Sequence, residues 1–329
     1  MPVGTQAAKV ALSTIRDEQT YIDRNGNEIL GKDLKARIMR NINALSDIGT
    51  QRMRARFERA DGSLNIEAFS AFIKKELMSR NADKNILEAV EIVYDKDENG
   101  NNIEGTGRFR ATLNSVSNMS WIESILVSAI NSEVIDINLP GNAFYQRTVF
   151  GMEGNPHTVM SDDQLKHYQI NGGRPLQMIN EEGSMDAVIS IDYFMHLVPR
   201  HLRYNFTKDR QYLIDNNIIG PNASANTMSY RIPTQALSSI HPLRFVDVLP
   251  IVRDTIVLPK EFTKITGSDF DIDKLYLSTL VYELDKDGNF KDQSEYSEEN
   301  KLKNEILNDW LMLLKDAGKS VLTGKSTND

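Results

Sequence analysis

Apolar residues recur at three- and four-residue steps through 32–60, at Leu34, Ile38, Ile42, Leu45 and Ile48, and predict a long helix. Ile66, Phe69, Phe72, Ile73 and Leu77 give a second stripe over 65–79, and 81–89 reads as a short third helix. A further helix is expected over 120–131, with Ser120 as its cap and Ile122, Ile125, Leu126 and Ile130 on one side. The rhythm then changes. Short β-branched runs bounded by Gly, Pro and Asn predict strands at 134–137, 145–150, 176–179, 187–191, 245–249, 255–258 and 275–282. One helix is expected among them, at 209–216. Helical spacing returns over 298–314, through Leu302, Ile306, Trp310 and Leu313. The pattern is α+β: a mainly helical region at 1–130, a β-rich domain at 131–285 that suggests a compact barrel or sandwich, and a helical extension at 286–329.

Composition narrows the chemistry. The 329 residues include no cysteine, which removes disulfides, thiolate metal sites and Cys nucleophiles. No stretch is long and apolar enough for a membrane span, and residues 1–6 lack the basic and apolar parts of a signal peptide. A net charge of −8 argues against a basic module that holds nucleic acid by neutralising phosphates itself. An acidic core inside a larger assembly stays open. The five histidines, His157, His167, His196, His201 and His241, show no metal-ligand spacing.

The distinctive segment is Gly267-Ser268-Asp269-Phe270-Asp271-Ile272-Asp273. In extended backbone, alternate side chains share a face and stand about 6.6 Å apart, so three carboxylates would point one way. Two like charges at that distance repel by roughly 2 kcal/mol at an effective dielectric near 20. A cation would relieve this. With only oxygen donors nearby, a hard divalent ion such as Mg²⁺ fits, and Mg²⁺ takes substrate phosphates as further ligands. Spacing alone leaves a solvated acidic turn as the other reading. Two further acidic tracts test a calcium alternative. Asp95-Lys96-Asp97-Glu98-Asn99-Gly100 begins like an EF-hand loop but has Thr106 where the bidentate Glu belongs, and reads as a hairpin turn. Asp285-Lys286-Asp287-Gly288-Asn289 has its Gly too early and also reads as a turn.

A resemblance enters at this point. Tyr230-Arg231-Ile232-Pro233-Thr234 resembles the Arg-x-Pro-Thr segment of the largest subunit of cellular RNA polymerases, and Arg231 stands 38 residues before Asp269. In that family the segment leads through two strands into an Asp-Phe-Asp-Gly-Asp metal loop. The chain is most similar to the single-chain DNA-directed RNA polymerases of crAss-like bacteriophages, which share Asp-Phe-Asp-Ile-Asp-Lys with residues 269–274. The likeness is clear over 175–283 and faint elsewhere. It implies a double-psi β-barrel over about 134–283, with 183–199 supplying an early strand. It implies that Asp269, Asp271 and Asp273 bind the Mg²⁺ that activates an RNA 3′ hydroxyl. Arg231 would lie near the incoming nucleoside triphosphate, with Pro233 shaping its loop and Lys274 balancing charge or touching substrate. The partners implied are nucleoside triphosphates, an RNA transcript and a DNA template, and the place is the host cytoplasm or the virion.

Two departures stand out: Ile272 replaces the family's Gly, and Gly267 replaces the Asn associated with the ribose 2′ hydroxyl. A polymerase of this type also needs a second, lysine-bearing barrel. Residues 1–12 could be its trailing edge, with Lys9 as a phosphate contact, or an ordinary terminal segment. The rest of that barrel is expected elsewhere in a longer chain or on a separate subunit, so the chain reads as a fragment or one piece of a split polymerase. A metal-stabilised structural domain and a virion interaction module are the rival readings. Without the family context, Arg231 reads as a surface ion pair. Trp121, Trp310, Tyr193, Phe194 and Met195 read as core, and Gly172-Gly173-Arg174 as a turn or a phosphate nest.

Overall fold

The computed structural model describes residues 6–23, 26–103, 105–111, 116–135, 138–149, 170–234, 236–250, 254–266 and 274–323. In chain order come α1 (Gln6–Ser13), β1 (Thr20–Ile22), β2 (Glu28–Leu30), α2 (Gly31–Phe57), α3 (Ile66–Ser79) and α4 (Lys84–Ala89). Then follow β3 (Ile92–Val93), β4 (Arg108–Phe109), α5 (Val116–Ile130), β5 (Ala143–Val149), β6 (Met185–Ser190) and α6 (Phe206–Asp215). The last are β7 (Thr227–Tyr230), β8 (Ile240–Leu249), β9 (Thr255–Pro259), α7 (Glu261–Thr266), β10 (Lys274–Thr279) and α8 (Glu298–Thr323). The fold is α+β, with a closed six-stranded barrel followed by a C-terminal helix.

The chain forms two compact units, Met1–Ile42 with Asn138–Asp329, and Asn43–Ile137. The boundary falls within α2, and the C-terminal helix belongs with the barrel. Sequence patterning had set three parts, at 1–130, 131–285 and 286–329, because periodicity reports element type and says nothing about which elements share a core.

In the first unit the barrel closes in the order β10-β5-β9-β6-β8-β7. Two of its ladders are parallel, β5 with β9 and β6 with β8, and the other four are antiparallel. Every residue of β6 and β9 is buried, which their unbroken apolar runs anticipate. Ala187, Ile189, Phe245, Ile256, Leu258, Leu275 and Leu277 join one core cluster, while Val188, Val246, Leu249 and Val257 join another beneath Ile170, Leu176 and Phe206. Alternation thus divides β6, β8 and β9 between two apolar faces.

Two carboxylates are buried in the same sheet. Asp186 on β6 stands in register with Arg244 on β8 and receives its Nη2 at 2.8 Å, with Asn180 Nδ2 at 2.9 Å and the Gln177 N–H at 3.2 Å. Asp247 on β8 accepts both Nε and Nη2 of Arg210 on α6, each at 2.7 Å. A buried charge is tolerated only when paired and saturated with donors, and both meet that condition.

Helix α8 brings Ile306, Leu307, Trp310 and Leu311 into the core, Trp310 being fully buried. Asn304 clamps Val281 by donating Nδ2 to its carbonyl at 2.9 Å and accepting its N–H at 2.7 Å. Arg37 of α2 pairs with the buried Asp309. Gly318 crosses the Asn180–Ser184 turn so closely that a Cβ there would stand 2.2 Å from the Gly183 carbonyl oxygen.

The second unit packs Ile73, Leu77, Val90, Ile122 and Ile125 into one cluster, with Phe57 edge-on to Phe69 at 5.7 Å. Trp121, expected in a core, is 36% exposed on α5. The strand expected at 134–137 does not form at Val134 and Ile135, which extend α5 as a π-turn, and 136–137 lie outside the described residues. The run 176–179 is likewise no strand. Its exchange with Asp186, N–H to carboxylate and carbonyl to N–H, holds Gln177 against β6 without a ladder.

The hairpins at Asp95–Asn102 and Glu283–Phe290 are turns, as their sequences suggest. In each, Asp (97 or 285) accepts the Asn N–H four residues on at 2.8 Å, and its own N–H returns to that residue's carbonyl. Asp23 and Asn27 repeat the arrangement at 2.9 Å. The three share Asp-x-x-Gly-Asn, and glycine sits at φ near +81° to +87°, where other L residues are strained.

Candidate active-site loop

The aspartates Asp269, Asp271 and Asp273 lie outside the described residues, as do Gly267 and Ile272. What the structure gives is the frame that holds both ends of their segment. β9 runs into α7, whose Phe262 is fully buried and whose last residue is Thr266. After the loop the chain resumes at Lys274, the first residue of β10, paired with Tyr145 on β5. Both anchors therefore belong to the barrel wall, at the same end.

Arg231 meets this frame. It follows Tyr230, the last residue of β7, and its Nη1 donates to the Thr266 carbonyl oxygen at 2.9 Å. Its backbone is tied to the same corner: the Arg231 N–H donates to Ser239 O at 3.1 Å, and Thr234 Oγ1 donates to the Arg231 carbonyl at 2.7 Å. Pro233 lies within that corner, after a cis Ile232–Pro233 peptide. The bond to Thr266 O ties Arg231 to a backbone carbonyl one residue before the aspartate segment, and the surface ion pair stays open beside it.

Beside Arg231 and Lys274, Tyr230 and Tyr276 oppose each other across β7 and β10, with rings stacked at 5.5 Å. Burial, then the neighbouring Tyr276, pushes the Tyr230 phenol up to about 12. Beneath α7, His241 on β8 packs edge-on against Phe262 at 5.3 Å. Burial holds it near 4, and its Nε2 has no hydrogen-bond partner among the described residues. Patterning gave no sign of these two supports, because Tyr230 sits in Thr227–Tyr230, a strand with little apolar signal, and His241 precedes Pro242.

The donor set of the segment Gly267–Asp273 is all carboxylate, which suits a hard divalent cation. Among the described residues, no three His, Asp or Glu side chains converge on a metal site. Lys9 lies elsewhere in kind: it is exposed on α1, and no bond from it to the loop frame occurs among the described residues. Residues 6–13 of the stretch read as a partner barrel's trailing edge form helix α1, which buries Ala8 and Ala11, and residues 1–5 lie outside the described residues. The Gly172-Gly173-Arg174 motif is a turn closed on itself, with Asn171 Nδ2 donating to Arg174 O at 2.8 Å. No described helix is long and apolar enough to cross a membrane. No protein-family model and no curated protein matches the sequence.

Proposed function

We propose that the chain is the metal-bearing barrel of a DNA-directed RNA polymerase, of the double-psi type, and takes part in Mg²⁺-dependent transfer of ribonucleotides to an RNA 3′ end. The observation that carries this reading is the bond from Arg231 Nη1 to the Thr266 carbonyl. It ties Arg-x-Pro-Thr to the residue just before the aspartate segment, and these are the two motifs that carried the resemblance from separate parts of the chain. The barrel supports it too, since two parallel ladders inside a closed sheet of six suit crossed double-psi connections.

On this reading Asp269, Asp271 and Asp273 hold the ion, and bound Mg²⁺ stabilises charge on the attacking and leaving oxygens of phosphoryl transfer. Arg231 is pinned next to the aspartate segment, where its guanidinium offsets the carboxylates and lies near the substrate phosphates. Lys274 sets a second cation at the other root. Nucleoside triphosphates, RNA and a DNA template are the partners, and a lysine-bearing barrel, in the same longer chain or on a separate subunit, completes the site.

The test is Asp271→Ala. In the enzyme assembled with its second barrel, RNA synthesis is abolished while the thermal midpoint of this chain stays put. In the chain alone, Mn²⁺ uptake followed by electron paramagnetic resonance falls with the same substitution. Normal elongation by the variant overturns the proposal.

A further inference from the structure

A cavity of about 420 Å³ opens at the other end of the barrel. Its wall comes from four places: Asn142 and Phe144 at the start of β5, Asp192, Tyr193 and His196 after β6, Asp254 just before β9, and Thr279 and Tyr282 at the end of β10. Strand directions put all four together. β5 and β9 run parallel, and both are antiparallel to a neighbour that ends here, β10 for β5 and β6 for β9. Thr266 and Lys274, which flank the aspartate segment, stand where β9 leads out and β10 begins, so the cavity is a separate place on the fold.

The wall has a definite chemistry. Among the described residues no lysine or arginine lines it, and two aspartates do. Burial, and then the charge of Asp254, raises Asp192 above its ordinary value, so a cation between the two carboxylates would relieve real repulsion. Burial lowers His196, leaving it neutral near pH 7 with an acceptor nitrogen to offer. A buried hydroxyl stands beside the carboxylates. The Tyr193 ring is wedged edge-on against Phe144 at 5.0 Å and Phe194 at 4.9 Å, yet its buried hydroxyl makes no well-formed hydrogen bond among the described residues, only Thr279 standing near enough to interact. Thr279 Oγ1, beside it, is already bonded to Thr227 Oγ1 at 2.8 Å and to the Asn226 carbonyl at 3.2 Å. A buried hydroxyl so poorly bonded is expected to find a full partner when the site is filled.

We infer that this cavity binds a small organic cation, an alkylguanidinium or alkylammonium group held between Asp192 and Asp254 with its stem against the aromatic wall. An inorganic metal ion is the poorer fit, since these side chains do not converge as ligands. Aromatic faces with carboxylates behind them are the usual setting for such cations, and the volume suits a ligand of this size. The inference does not depend on the polymerase reading.

The experiment titrates the full chain with agmatine and, separately, with a capped glycyl-arginyl-glycine peptide, following backbone amide shifts by NMR. Saturable shifts at 140–144, 192–197 and 279–282 are expected, with affinity at least tenfold weaker in Asp192→Asn or Asp254→Asn. Both aspartates are exposed at the rim, so neither change threatens folding. Tyr193→Phe keeps the ring packing and weakens binding severalfold by removing the hydroxyl. Agmatine binding without peptide binding assigns the site to a free small cation, and binding of both assigns it to a basic side chain. Failure of both, or affinity unchanged by Asp192→Asn, overturns the inference, and Asp271→Ala leaves these shifts as they are in either case.

Discussion

Single residues in this protein are tuned by what surrounds them more than by what they are. His241 shows this most clearly. Its folded value near 4 lies below the ordinary 6.5, because burial against Phe262 disfavours the imidazolium. The neutral form is thus the one the fold accepts. Its contribution is complete above pH 6.5 and is lost as pH falls toward 4, at up to roughly 1.4 kcal/mol per pH unit. Carboxylates also titrate in this window, so the comparison must be internal. Urea unfolding of the wild type and His241→Phe at pH 6.5 and pH 5 should show the wild type losing about 2 kcal/mol more over that step. Equal losses would mean that the imidazole is solvated. Patterning assigned the residue no role, since a lone histidine before a proline carries no periodic signal. Arg231 was legible only through a motif, and its bond to Thr266 O needed the fold to bring positions 231 and 266 together.

At the level of elements, periodicity read the helices well. The stripes at 32–60, 65–79 and 298–314 correspond to α2, α3 and α8, though α8 runs on to Thr323. Strands were legible where they are buried on both faces, as in β6 and β9. They were missed where polar side chains bond inside the sheet. β7 reads Thr-Met-Ser-Tyr, yet Ser229 Oγ donates to the His241 carbonyl at 3.1 Å and Thr227 bonds Thr279. β8 was begun five residues late because Pro242 argues against a central strand. Close approach of elements is invisible to patterning altogether. Gly318 on α8 lies against the Gly183 carbonyl, and Ala there would gain at most about 1 kcal/mol of helix propensity. It would also drive a methyl to 2.2 Å from backbone that cannot swing aside. Overpacking costs roughly 1–3 kcal/mol and should win. Gly318→Ala is therefore expected to lower the urea midpoint, and an unchanged or higher midpoint would show that α8 can shift.

For the whole molecule, the class α+β and the presence of a compact β-rich domain were readable from the order of elements. Closure was not, because no local pattern states that β10 pairs with β5 and β7 at once. Nor was the division into units, since the cut falls inside a single uninterrupted helical stripe.

The position of β10 has one more result, and it concerns how the protein is made. Five of the six barrel strands leave the ribosome before Lys274, but until the sixth emerges β5 and β7 each present a raw backbone edge. Newly made chains released at residue 266 should accordingly stick to one another and sediment as polymers, whereas chains carried through Thr323 should not. Synthesis of this protein passes through a vulnerable interval that ends only when its last strand arrives.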